Sequence, residues 1–180
     1  PERIDSNGRI IRPLDRRALE DLIERIKRKK IESVAVCFLH AYANGEHERI
    51  FGERLARAGI SYSLSSEILP EYREFERAST TAINAYVAPL MERYLNYLEA
   101  KLGRARLKIM QSNGGCLSAA AARLKPVTTI LSGPAGGVVG ASAIAFQAGF
   151  RRLISFDMGG TSTDVSLCDG AIMTTTETEI

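Results

Sequence analysis

The sequence predicts an α/β fold with mixed sheets and covering helices. Three observations carry that expectation. Short apolar β-type runs alternate with amphipathic helical runs along the chain. Hairpin signals stand at both ends, around Asp5-Ser6-Asn7-Gly8 and around Gly159-Gly160, so the sheets are mixed and not purely parallel. With 45% hydrophobic and 25% charged residues in 180, there is apolar material for a core in one domain or in parts of two.

In chain order, residues 1–14 read as a hairpin. Asp15 is placed to cap a helix whose apolar face is Ala18, Leu19, Leu22, Ile23 and Ile26. Ser33 to Leu39 is a short run bounded by polar residues, a buried strand. Ala41 to Gly45 is a loop. A second helix carries Ile50, Phe51, Leu55 and Ala58 on one face and stops at Gly59. Ile60 to Leu64 is a strand. Pro70 opens a helical stretch with Tyr72, Phe75, Ala82, Ile83 and Tyr86 on its apolar side. Pro89 predicts a kink or a restart there, and Leu90, Tyr94, Leu98 and Leu102 continue the stripe to Gly103. Residues 106–111 alternate as a strand, and Ser112 to Gly115 turn away from it. Leu117 to Leu124 reads as a short helix, Pro126 to Leu131 as a strand, and Ser132 to Gly137 as a turn into a helix of small residues.

The charge is unevenly placed. The net charge is +3, yet residues 127–180 hold only Arg151 and Arg152 against five carboxylates. Two regions explain that asymmetry better than a nucleic-acid surface does. The dense basic run Lys27-Arg28-Lys29-Lys30 closes a predicted helix, where cations complement the helix dipole. Cys37, Cys116 and Cys168 are odd in number and widely spaced, which argues for a reduced cytoplasmic chain without a zinc site. The polar start PERIDSNGRI gives no signal peptide, and a chain beginning at Pro1 suggests a segment of a longer protein. Residues 126–150 are uncharged and contain Gly136-x-x-x-Gly140, but Ser132-Gly133-Pro134 interrupts them. A strand, a turn and a helix fit this stretch better than a membrane span.

Residues 153–170, LISFDMGGTSTDVSLCDG, are the most informative stretch. A β-type run ends in Asp157, a glycine turn follows, and a second run starts after Asp164. A glycine turn can aim backbone N–H groups at phosphate oxygens, and neighbouring hydroxyls can donate to the same oxygens. Asp157 stands where hydrated Mg²⁺ could meet it, because magnesium keeps several waters and takes few carboxylates. No P-loop motif is present, and Gly133, Gly136, Gly137 and Gly140 do not form G-x-G-x-x-G.

The order of these parts resembles the actin, sugar-kinase and heat-shock-chaperone ATPases. More narrowly, SSEILPEYREFERASTTAINAYV, MQSNGG, LSGPAGGVVGA and FDMGGTSTDVSL resemble the hydantoinase/oxoprolinase family. The resemblance covers residues 65–168 and reaches back to about residue 33 through SVAVCFLHAYANGEHE. It implies a ribonuclease H-like, two-lobed α/β protein. Residues 1–131 would be the back of the first lobe, and residues 132–180 the linking helix and the start of the second. It implies an enzyme that uses ATP and Mg²⁺ to open a cyclic amide, or a related ketone-carboxylase subunit. A nucleotide-gated interaction module is a third reading. The implied partners are a small-molecule substrate, the rest of the polypeptide and a second, hydantoinase B-type subunit, with no nucleic acid or membrane.

Residue by residue, the resemblance implies that Asp157 positions Mg²⁺ through water or positions the attacking group. Gly159 and Gly160 let the turn approach phosphate, and Thr161, Ser162 and Thr163 offer hydroxyls or backbone donors. Asp164 either joins them or braces the hairpin. Asn113, Gly114 and Gly115 follow a strand end, where substrate contacts and a positive-φ turn are both open readings. Ser132 and Gly133 are either a site edge or a helix start. The family's earlier D-x-G-G-T-x-T-D loop is missing from this chain, so the chain alone is not expected to be active.

Overall fold

A computed structural model describes residues 1–103 and 105–173. The last seven residues of the segment assigned above to a second lobe lie outside the described residues. The chain forms two compact units. The first is Pro1–Gly103 with Arg123–Val127, and the second takes in the described residues of Arg104–Ala122 and Thr128–Ile180.

The first unit opens with the expected hairpin, β1 (Arg3–Ile4) antiparallel to β2 (Ile10–Arg12). The Asp5 carboxylate closes its turn by accepting from the N–H groups of Asn7 and Arg9. Helix α1 (Arg16–Arg28) starts where Asp15 accepts from the Arg17 and Ala18 N–H groups, satisfying donors that have no partner within the helix. Strand β3 (Ser33–Val36), helix α2 (Glu46–Arg57) and strand β4 (Ser61–Leu64) make a βαβ unit, with β3 and β4 parallel and in register from Ser33↔Ser61 to Val36↔Leu64. Leu19, Ile23, Ile26, Val36, Phe51, Leu55, Ile60 and Leu64 form the core between these elements. These are largely the faces the helical and strand periodicities mark.

Inside this unit, Glu48 is fully buried and its carboxylate organises the ends of both parallel strands. It accepts from the Phe38 N–H at 2.8 Å, the Ser65 hydroxyl at 2.6 Å and the Ser66 N–H at 2.8 Å. The Ser66 contact fixes the start of the short helix α3 (Ser65–Ile68).

Helix α4 (Glu74–Leu102) corrects two expectations. Pro89 lies inside one continuous helix, so of the kink or restart expected there the restart is excluded. The apolar stripe read from the sequence does not mark the buried face: Tyr72, Phe75, Ile83, Tyr86, Leu90, Tyr94 and Leu102 are all exposed. The helix instead buries Arg77, Thr81, Asn84, Ala85 and Leu95. The reason is hydrogen bonding. Arg77 donates to the Phe38 and Glu71 carbonyls, while Asn84 donates to the Ser63 hydroxyl and accepts from the Val127 N–H. Buried polar groups with such partners are stable where unpaired ones are not.

The second unit contains the antiparallel pair β5 (Lys108–Met110) and β6 (Cys116–Ser118), the first four residues of helix α5 (Ala119–Leu124), helix α6 (Ser132–Gln147), and the hairpin β7 (Arg152–Met158) and β8 (Thr163–Asp169). Two further expectations change. Residues 116–118 are a strand before the helix begins, because they pair with β5 across the Gly114 turn. Pro126–Thr129 is a 3₁₀ turn and not a strand, with the Val127 N–H held by Asn84. No helix among the described residues is long and apolar enough to cross a membrane.

Candidate functional site

The hairpin β7–β8 pairs residue by residue from Arg152↔Asp169 to Met158↔Thr163. Side chains alternate across a strand, so each face takes every second residue. Ile154, Phe156, Met158, Val165 and Leu167 share one face, and all are exposed. Leu153, Ser155, Asp157, Asp164, Ser166 and Cys168 share the other. Two contacts fix that second face against α6. The buried Ser142 hydroxyl donates to Cys168 Sγ at 3.4 Å, and Asp157 Oδ2 lies beside Gly137.

Asp157 and Asp164 are partners in this register. Like charges directly opposite on antiparallel strands repel. Residues 126–150, which include all of α6, carry no basic side chain to offset them.

The turn Gly159–Ser162 is closed by the Gly159 N–H donating to the Ser162 carbonyl at 2.9 Å. Neither Gly159 nor Gly160 has a positive φ, so the conformation itself does not demand glycine there. Their lack of side chains keeps the turn open.

A cavity of about 900 Å³ lies within the second unit, lined among others by Asn113, Gly114, Leu131, Pro134, Gly137, Asp157 and Asp164. It joins two groups the sequence singled out separately, the residues after β5 and the carboxylates of the hairpin. Gly115, Ser132, Gly133 and the turn residues Gly159, Gly160, Thr161, Ser162 and Thr163 stand outside that lining. Gly114 has φ +83° and donates its N–H to the Gln111 carbonyl, while Asn113 Oδ1 accepts from the Gly115 N–H. This is a side-chain-closed turn that needs positive φ. Ser132 and Gly133 form the first turn of α6, which follows Leu131 in a left-handed conformation (φ 60°, ψ 23°). Gly137 was not marked by the sequence as a site residue. Its signal is the doubled glycine near the start of α6, which the sequence places at the end of a turn from Ser132 to Gly137; that stretch is already helical here. A Cβ built on Gly136 would meet only the Met110 side chain, at 3.8 Å, and one built on Gly140 would meet nothing within 4 Å.

Among the described residues no cluster of three or more histidine, cysteine or acidic side chains forms a protein-only metal cage. Two carboxylates on an open cavity suit a cation that keeps most of its water, as Mg²⁺ does.

Comparison with known proteins places these features. A model of the hydantoinase/oxoprolinase family matches residues 77–180, and one of the hydantoinase/oxoprolinase N-terminal region matches residues 1–59. The chain belongs to the hydantoinase/oxoprolinase family. It is 39% identical over 163 residues to the 5-oxoprolinase of Saccharomyces cerevisiae, covering 88% of this chain and 12% of that protein. Its fold is shared with the crystal structure of an ATP-dependent caprolactamase from Pseudomonas jessenii (TM-score 0.82, 32% identity, 92% of this chain and 25% of that one). It is shared also with a nucleotide-free acetone carboxylase (TM-score 0.76, 28% identity, 96% of this chain and 26% of that one). The chain spans between 12% and 27% of the length of the curated relatives it matches first.

Proposed function

We propose that this chain is the part of an ATP-dependent cyclic-amide hydrolase that holds one of its phosphate-binding hairpins. The observation that carries the reading is the in-register pair Asp157 and Asp164 on a cavity beside α6, in a member of this family. Residues 1–131 are assigned to the back of one lobe, and residues 132–180 to the linking helix and the start of the next.

A lactam carbonyl is a poor electrophile. Mg·ATP supplies a phosphoryl group whose transfer to the amide oxygen turns that oxygen into a leaving group. Asp157 is assigned to hold hydrated Mg²⁺ through its water. Asp164 adds a second negative charge opposite it. Gly159 and Gly160 leave the turn open to phosphate oxygens, and Thr161, Ser162 and Thr163 offer backbone or hydroxyl donors to them. Asn113 and Gly114, which line the same cavity, are assigned to the substrate in this reading.

The rest of the polypeptide and a second, different subunit complete the enzyme in this reading. The name caprolactamase subunit alpha, carried by a relative 34% identical over 174 residues, supports a multi-subunit arrangement. A cytoplasmic setting is part of the same reading, from the odd number and wide spacing of Cys37, Cys116 and Cys168 in the sequence.

A ketone-carboxylase role is the second reading, and the acetone carboxylase likeness favours it. Phosphate release by the complete protein with its second subunit separates the two. Stimulation by 5-oxoproline, caprolactam or hydantoins supports the hydrolase. Stimulation only by ketones with bicarbonate supports the carboxylase. No stimulation by either class removes both.

A further inference from the structure

Resting on the assignment of Asp157 above, the geometry points to Gly137 as a positioning residue for the Asp157 carboxylate. A methyl group placed on Gly137 would stand 2.9 Å from Asp157 Oδ2, closer than Cβ atoms approach other atoms in real structures. The contact is specific to this glycine. At Gly136 the same methyl meets only the Met110 side chain at 3.8 Å, and at Gly133 and Gly140 it meets nothing within 4 Å.

What gives way on adding that methyl is set by stiffness. Gly137 sits inside helix α6, whose backbone is locked by its own hydrogen bonds. Asp157 is exposed and turns about two side-chain torsions. The carboxylate therefore moves and the helix does not. Turning away from α6, it loses the direction it has in the cavity, with Asp164 opposite on the same face limiting where it goes. Alanine also forms helix more readily than glycine does. The fold is thus expected to hold or gain stability while the carboxylate is mis-aimed. That opposition of sign marks a positioning role and distinguishes it from a structural one.

The test compares Gly137→Ala, Gly136→Ala, Gly140→Ala, Asp157→Asn and the double variant Gly137→Ala/Asp157→Asn in the complete protein. The readouts are Mn²⁺ binding by electron paramagnetic resonance with a non-hydrolysable ATP analogue, Tm, and steady-state turnover. Gly137→Ala should weaken Mn²⁺ binding and lower turnover roughly ten- to hundredfold, the size expected for a displacement near 1 Å. Its Tm should not fall. Gly136→Ala and Gly140→Ala should match wild type in Mn²⁺ binding and turnover, and Gly137→Ala should add no further loss in the Asp157→Asn background. Gly137→Ala behaving like Gly140→Ala, beside an impaired Asp157→Asn, would overturn the positioning role and leave Asp157 in place. Losses from Gly137→Ala that persist undiminished in the Asp157→Asn background, or that come with a lowered Tm, would overturn it too. An unimpaired Asp157→Asn would remove the assignment of Asp157 itself and this inference with it.

Discussion

Asp157 and Asp164 face each other across the β7–β8 hairpin, two carboxylates in register on the side of the sheet that meets α6. A protein gains nothing in stability from that juxtaposition. In the proposed reading its value lies in the hydrated Mg²⁺ it would hold, and the hairpin is the feature that ties the sequence motif, the cavity and the family together.

Asp164→Asn separates the two effects of the pair. Removing one of two opposed charges should raise stability by a few tenths to about 1 kcal/mol. The same change should increase the Mg²⁺ needed for half-maximal turnover. Urea denaturation and a Mg²⁺ titration of phosphate release check the two halves. Lower stability with unchanged Mg²⁺ dependence would mean that Asp164 only braces the hairpin.

Gly114→Ala should destabilise the second unit by about 1–2 kcal/mol, because φ +83° is costly for a residue with a Cβ. The added methyl would also meet the Val139 side chain at 3.0 Å. Urea denaturation of the variant measures the loss, and a stability equal to wild type would contradict the turn geometry.

Glu48→Gln tests the buried carboxylate of the first unit. Glutamine keeps one oxygen acceptor and replaces the other with a donor, so one N–H or O–H now points at another donor. The expected loss is about 1–3 kcal/mol, read from a urea midpoint. An unchanged midpoint would contradict the network around Phe38, Ser65 and Ser66.

Much of this arrangement was legible in the sequence, and what was hidden has a common cause. The Asp15 cap, the α1 and α2 faces and the β7–β8 hairpin depend on neighbours within a few positions, and periodicity reads those well. Helix α4 defied the pattern. Its buried face is chosen by the partners of Arg77 and Asn84, which lie as far away as Phe38 and Val127. No local signal announces them. The β-branched run Val127-Thr128-Thr129-Ile130 likewise reads as a strand until the Val127 N–H is found on Asn84. At the site, the motif marked Asp157 and Asp164, but which glycine of α6 lies against Asp157 depends on how helix and hairpin meet.

A pH test addresses the exposed pair Glu99 and Arg123. The hydrogen bond from Arg123 holds the Glu99 carboxylate below its ordinary value of 4.5. A depressed carboxylate contributes stability above its unfolded pKa and loses it as pH falls through the folded value. Glu99→Gln should therefore lower Tm slightly near neutrality, by about a degree for so exposed a pair. The difference from wild type should close as the medium is acidified below 4.5. Differential scanning calorimetry at both pH values checks it, and a difference that grows on acidification would contradict the assignment.

The most direct test is phosphate release from Mg·ATP by the complete protein carrying Asp157→Asn, with an activating substrate present. Asparagine keeps the shape and removes the charge. Turnover should fall by roughly two orders of magnitude or more, with the fold intact by circular dichroism. Turnover close to wild type would contradict a phosphate-binding role for the hairpin.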